Sequence, residues 1–187
     1  MIRQTAIIVS AIATAALGAG VVLLTGCTAA PQGIKPVAGF DVQRYMGTWH
    51  EVARLDHSFE RGLTRVTAEY ALNDNGTVAV ANRGWDERRQ RWKEARGRAL
   101  FRGDPSVGSL KVSFFGPFYG GYHVIALDRN GYSYSMVCGP SRSYLWILSR
   151  EPALDDAARA NLVQQARDLG FAADDLLWVG QAESASR

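Results

Sequence analysis

Thr64-Arg65-Val66-Thr67-Ala68-Glu69-Tyr70-Ala71-Leu72, then Asn73-Asp74-Asn75-Gly76, then Thr77-Val78-Ala79-Val80-Ala81-Asn82-Arg83: this stretch decides the fold class. The two flanking runs favour extended backbone, because β-branched and aromatic side chains pack well on a pleated surface. The four residues between them are turn formers, and a glycine at the end of such a turn marks a hairpin. The chain therefore begins as antiparallel β-structure joined by a tight connection.

Working outward, the same pattern recurs. Runs rich in valine, tyrosine, phenylalanine and tryptophan predict strands near 48–56, 64–72, 77–83, 91–101, 109–115, 120–127, 132–138 and 144–149, with Asp128-Arg129-Asn130-Gly131 as a second clear turn. Eight consecutive strands on short connections fit a closed up-and-down antiparallel barrel or a sandwich. Then the period changes. Leu154, Ala158, Leu162, Ala166 and Leu169 recur at helical spacing, with Pro152 suited to the start and Gly170 to the end of one amphipathic helix. Leu176-Leu177-Trp178-Val179 is short enough for a ninth strand. A lone helix needs a surface for its apolar stripe, and the outer wall of a barrel supplies one. Inside, small strand residues (Ala53, Ala68, Ala81, Ala95, Gly97, Ala99 and Ala126) would leave room for one small ligand. Alternation on 91–101 puts Arg96 and Arg98 toward water and Ala95, Gly97, Ala99 and Phe101 inward.

The N-terminus reads differently. One basic residue, Arg3, precedes an apolar run from Ala6 to Leu24 that ends in Leu23-Leu24-Thr25-Gly26-Cys27. A short positive flank, a membrane-entering segment and small residues before a cysteine are the parts of a bacterial lipoprotein signal. Cleavage before Cys27 would free its thiol to carry acyl chains, palmitate among them. Thr28 stands where an aspartate would favour the inner membrane, which points to the outer one. The expected organisation is a signal peptide at 1–26, a lipidated tether at 27–38, a barrel domain at 39–181 and a tail at 182–187. The signal carries Arg3 and no acid, so the remainder holds 20 basic against 18 acidic residues. Such a balance argues against a nucleic-acid partner. With Cys27 acylated, Cys138 has no disulfide partner, and its apolar strand marks it as a small buried hydrophobe.

Tyr45-Met46-Gly47-Thr48-Trp49, Ala126-Leu127-Asp128 and Ser149-Arg150 resemble, in order and at fitting spacings, the three signatures of the lipocalins. Phe59-Glu60-Arg61-Gly62-Leu63, the run from Leu110 to Tyr122 and Tyr144-Leu145-Trp146-Ile147-Leu148 resemble the outer-membrane bacterial members in particular. The resemblance covers about residues 36–181. It implies an eight-stranded up-and-down barrel with one C-terminal helix packed outside, a short ninth strand, and attachment to the outer membrane with the barrel facing the periplasm. In the second signature Leu127 and Arg129 replace the threonine and tyrosine that more often flank the aspartate outside bacteria. Structural roles follow for Gly47, Trp49, Asp128 and Arg150: Trp49 at the closed end, Arg150 over its indole face, Asp128 shaping its turn.

The cavity wall, by alternation, is expected from Val66, Ala68, Tyr70, Val80, Ala99, Val112, Phe114, Tyr122, Val124, Tyr134, Met136 and Trp146. On the sixth strand two inward sets remain open, Tyr122-Val124-Ala126 and His123-Ile125-Leu127. Tyr122, Tyr134 and Tyr144 are candidate donors to an anionic head, and His57 and Arg61 belong to the loop over the opening. A fatty acid or lysophospholipid fits such a wall, held for lipid storage or transport in envelope maintenance. No cofactor or metal is expected. His50-Glu51 starts like a zinc-protease motif but lacks the second histidine, since position 54 is Arg54. The rival readings are a lipocalin-fold enzyme acting on a hydrophobic substrate and a structural envelope lipoprotein with a filled barrel. Phe115, Phe118 and Tyr119, beside Gly116-Pro117, would form an exposed patch suited to a homodimer or a membrane contact.

Overall fold

A computed structural model describes residues 28–179; the expected signal peptide at 1–26, Cys27 and the expected tail at 182–187 lie outside the described residues. One helical turn, α1 (Val42–Tyr45), leads into β1 (Gly47–Arg54), β2 (Leu63–Leu72), β3 (Val78–Asp86), β4 (Arg91–Phe101), β5 (Ser109–Phe115), β6 (Phe118–Leu127), β7 (Tyr134–Cys138) and β8 (Leu145–Ser149). Each strand pairs antiparallel with the next, and β1 pairs with both β8 and β2, which closes the barrel. Helix α2 (Asp156–Asp168) follows, then β9 (Leu177–Trp178). The closed barrel, not the sandwich, is the fold.

Closure is incomplete at one place. β1 pairs with β2 from Gly47 to His50, whereas Ala53 and Arg54 pair with Trp178 and Leu177 of β9. The Arg54 guanidinium spans the parting, donating to the carbonyls of Glu60 at 3.0 Å and Leu63 at 3.2 Å.

Helix α2 starts later than Pro152 suggested, at an N-cap Asp155 whose carboxylate accepts from the Ala158 amide at 2.8 Å. It ends before Gly170, which has a φ of +78°, the left-handed conformation that glycine adopts without strain. Ala158, Leu162 and Ala166 form its buried stripe. Leu162 and Ala166 pack on Val52, Ala53, Met136, Leu145 and Ile147 from the outer faces of β1, β7 and β8. A second, inner cluster of Trp49, Tyr70, Val80, Ala99, Val137 and Leu148 lines the barrel itself.

The two clusters correct the list of small inward residues. Ala53 and Ala126 belong to the outer core, because β-bulges between Glu51 and Ala53 and between Val124 and Ala126 shift the register and turn the next side chain to the other face. The sixth strand consequently mixes both sets: Tyr122 and Val124 point inward before the bulge, Leu127 after it. On β4 alternation holds: Ala99 is buried in the chamber wall, and Ala95, opposite Asn82, lines the vestibule at the exposed rim. Gly97 faces inward because the Phe114 ring lies over it, and a Cβ there would sit 2.8 Å from that ring.

Candidate functional site

The barrel encloses a chamber of about 130 Å³ that widens into a vestibule of about 650 Å³. Phe59, Glu60, Val66, Asn82, Phe114 and Trp146 line both, so the two form one path from the core to water. A single water needs only ~10–15 Å³ of such space, so the chamber has room for far more than one.

Alternating positions of consecutive strands build the wall: Val66, Ala68 and Tyr70 on β2, Val80 on β3, Ala99 on β4, Val112 and Phe114 on β5, Tyr122 on β6 and Trp146 on β8. Val124, Tyr134 and Met136 do not line it. Val124 is buried in the inner core toward the closed end. Met136 is fully buried in the outer core, and Tyr134 packs against that same core. The inward residues of β7 are Ser135 and Val137 instead: the Ser135 hydroxyl meets Tyr45, and Val137 reaches the chamber.

At the chamber floor three phenols join. Tyr122 Oη lies 2.8 Å from Tyr45 Oη and 2.9 Å from Tyr70 Oη, and Tyr45 Oη is 3.3 Å from Ser135 Oγ. Burial pushes the Tyr45 phenol up to about 12 and raises Tyr70 and Tyr122 as well, so the cluster stays neutral. Below it, the fully buried Trp49 donates its indole N–H to the Tyr45 carbonyl at 2.8 Å. The Arg150 guanidinium lies 3.9 Å over the Trp49 ring and donates to the carbonyls of Arg44, Met46 and Thr48. Gly47 has a φ of +91°, which carries the chain around this knot. The Asp128 carboxylate accepts from Asn130, Gly131 and Ser133 and so shapes the β6–β7 turn.

Polar groups that sequence reading does not place in the cavity sit halfway up the wall. Glu51 and Glu60 both line the chamber; Arg54 pairs with Glu51, and Glu60 accepts the Trp146 indole N–H at 3.0 Å. Burial first, and then the charge of Glu60, pushes the Glu51 carboxyl up to about 8, and burial raises Glu60 as well. The acid pair thus keeps one proton near neutrality, and its remaining charge balances Arg54. Burial, with Arg54 nearby, lowers His57 to about 4, so its ring is neutral against Phe59 at 4.1 Å. Asn82 Oδ1 is buried with no hydrogen-bond partner. The available signal for Glu51 is its place two residues after Trp49, on the face that alternation turns inward.

Of the expected head-group donors, Tyr122 lies deep, Tyr134 is outside, and Tyr144 alone stands in the vestibule. His57 is buried on the loop over the opening, whereas Arg61 turns outward into an exposed ion pair with Asp56 at 2.6 Å. Cys138 is buried, and its thiol is pushed up to about 12 by desolvation, which leaves it unreactive. Among the described residues no cluster of three or more His, Cys, Asp or Glu side chains is arranged to hold a metal ion.

A lipocalin-like domain family matches residues 40–181. Outer membrane lipoprotein Blc of Citrobacter freundii is 53% identical over 151 residues, covering 81% of this chain and 85% of that protein. Its counterpart in Vibrio cholerae is 49% identical over 160 residues, covering 86% and 94%. Temperature-induced lipocalin-1 of Arabidopsis thaliana is 33% identical over 72% of this chain and 76% of its own. Insecticyanin of Manduca sexta shares the fold, with a TM-score of 0.67 at 23% identity over 84% of this chain and 89% of that one. Relatives at about half identity give the outer membrane as the chain's location. On a closed eight-stranded barrel, an outer helix and a family match across the whole domain, the chain belongs to the lipocalin family.

Proposed function

We propose that this lipocalin is anchored to the outer membrane through acylated Cys27 and holds one amphipathic lipid, a fatty acid or a lysophospholipid, for storage or transport in envelope maintenance. The observation that carries this reading is the shape and chemistry of one path: an apolar chamber ending at neutral phenols and opening through an aromatic gate of Phe59, Tyr144 and Trp146. An acyl chain fills the chamber, and its head group rests in the vestibule. There Tyr144 and the cation Lys93 meet an anionic head, while Asn82 Oδ1 accepts from a hydroxyl or ammonium. A fatty acid carboxylate does not belong at the depth of Glu51 and Glu60, because one of that pair is already charged.

Titrating delipidated protein with C12 to C18 fatty acids and lysophospholipids tests this. Saturation at one ligand per barrel is expected, with affinity rising by up to about 0.8 kcal/mol per added methylene. Absence of both saturation and chain-length trend sinks the carrier reading. The buried Glu51–Glu60 acid pair is the feature that favours the enzyme alternative. A product appearing in the same assay, and lost in Glu60→Gln, would promote it.

A further inference from the structure

We infer that the open end of the barrel docks mouth-down on a lipid surface bearing anionic head groups, with the β5–β6 tip inserted; the orientation rests on the reading that Cys27 is acylated. Three independent features meet at this end.

The first is apolar exposure. Phe59, Phe115 and Phe118 are 57%, 82% and 72% exposed. All three ring the vestibule, on the β1–β2 loop and on the β5–β6 hairpin. The closed-end loops, 73–77, 102–108 and 128–133, present no large exposed hydrophobic residue. Bare phenylalanines at the mouth of a path into an apolar chamber lose contact with water when they enter a bilayer, and the path then opens into lipid.

The second is charge. The β3–β4 hairpin projects at the same end and carries Arg88, Arg89, Arg91 and Lys93 against Asp86 and Glu87. Trp92 stands on it, 42% exposed, with Arg83 4.1 Å over its ring and Arg65 at 5.3 Å. Exposed tryptophan beside arginine suits the level of lipid head groups, where one side of the ring is apolar and the other wet. Cations within a Debye length of an anionic surface are drawn to it.

The third is where the chain leaves the domain. Thr28, the first described residue, lies against β6: a Cβ on Gly121 would sit 3.0 Å from the Thr28 carbonyl oxygen, and the buried His123 ring meets the Thr28 and Ala29 backbone. Gly121 is three residues from Phe118, about 10 Å along the strand, and twice as far from the closed-end terminus of β6. One residue reaches only about 3.5 Å, so a lipid on Cys27 must enter the bilayer beside Thr28. The anchor and the phenylalanine tip then belong to the same hairpin.

The test uses the full chain in vesicles of phosphatidylethanolamine and phosphatidylglycerol. A fluorescent reporter is placed at the β5–β6 tip by Gly116→Cys, where a side chain meets open space and both phenylalanines are kept. A second reporter goes to the opposite end by Asp74→Cys. Nitroxide-labelled lipid should quench the tip reporter several-fold more than the closed-end one, and the difference should shrink when Phe115 and Phe118 are both changed to Ser. Equal quenching at the two ends, or stronger quenching at position 74, overturns the docking. Shielding of position 116 that follows protein concentration and ignores lipid content also overturns it, in favour of a copy-to-copy contact. The intact mass of the same sample separates the two readings. An acylated Cys27 with the tip in water removes the docking alone, and an unmodified Cys27 with the tip in lipid removes the anchor alone.

Discussion

At the closed end Arg150 donates to three backbone carbonyls and covers a fully buried Trp49, whereas at the open end Asn82 Oδ1 has no partner and Phe115 is 82% exposed. One barrel therefore carries two kinds of terminus. Where a guanidinium holds three carbonyls and covers a buried indole, the structure stores stability. Where polar atoms wait and apolar side chains face water, stability has been given up for contact with something else. A binding barrel needs both, since a floor that breathes would leak its ligand and a mouth fully closed could not load it.

The comparison breaks first at the floor. Trp49→Ala should destabilise the domain by about 3–5 kcal/mol in denaturant unfolding, the usual cost of emptying a buried large aromatic site. Arg150→Ala should cost about 1–3 kcal/mol, because three carbonyls lose a charged donor and the Trp49 ring loses its cover. Losses below 1 kcal/mol in both variants would mean that the closed end is not the stability store.

The middle of the wall responds to pH. Glu51 has a folded value near 8, above its unfolded one, so the native state binds the extra proton and stability falls as pH rises through that window. His57 has a folded value near 4, below its unfolded one, so it acts in the opposite sense from about pH 4 to its unfolded value near 6.5. The two offset each other up to about pH 6.5. Above it the Glu51–Glu60 pair, raised by burial, acts unopposed by His57, and stability should fall from pH 6.5 to 8. Glu51→Gln should flatten that limb, and an unchanged slope in the variant would assign the loss to other groups.

Filling the chamber separates binding from folding. Ala99 is 4% exposed and faces the cavity, so Ala99→Trp should place its ring in the space of an acyl chain. A loss of at least tenfold in lipid affinity is expected, worth about 1.4 kcal/mol. The far-ultraviolet spectrum should keep its β character. Wild-type affinity in a folded variant would put the ligand elsewhere.

How much of this was legible depended on which wall carried the residue. On β2 to β4 the outer face is marked by Glu69, Arg83, Arg96 and Arg98, so alternation had a direction, and Val66, Ala68, Tyr70, Val80 and Ala99 were placed on the cavity side. On β7 the outer face is apolar because α2 covers it, and the inner face carries the polar Ser135, so period two points the wrong way and predicts Tyr134 and Met136 inward. Bulges hid Ala53 and Ala126, since an extra residue in one strand leaves no mark in composition. The Glu51–Arg54–Glu60 network escaped because its members meet only where β1 parts from β2, and no spacing in the chain announces that parting.

The smallest effect is expected at the rim, and it is the most telling for the contrast between the ends. Changing Phe115 and Phe118 together to Ser removes two large side chains, yet each is more than two-thirds exposed and its ring has little burial to lose. Surface substitutions of this kind usually shift stability by less than about 0.5 kcal/mol. A melting temperature within a few degrees of the parent is therefore expected, beside the large loss at Trp49. If the double substitution instead destabilises the domain by 2 kcal/mol or more, the two rings must be packed on the protein in solution. The open end would then be a second closed end, its apolar rim part of the fold and not a surface kept for lipid.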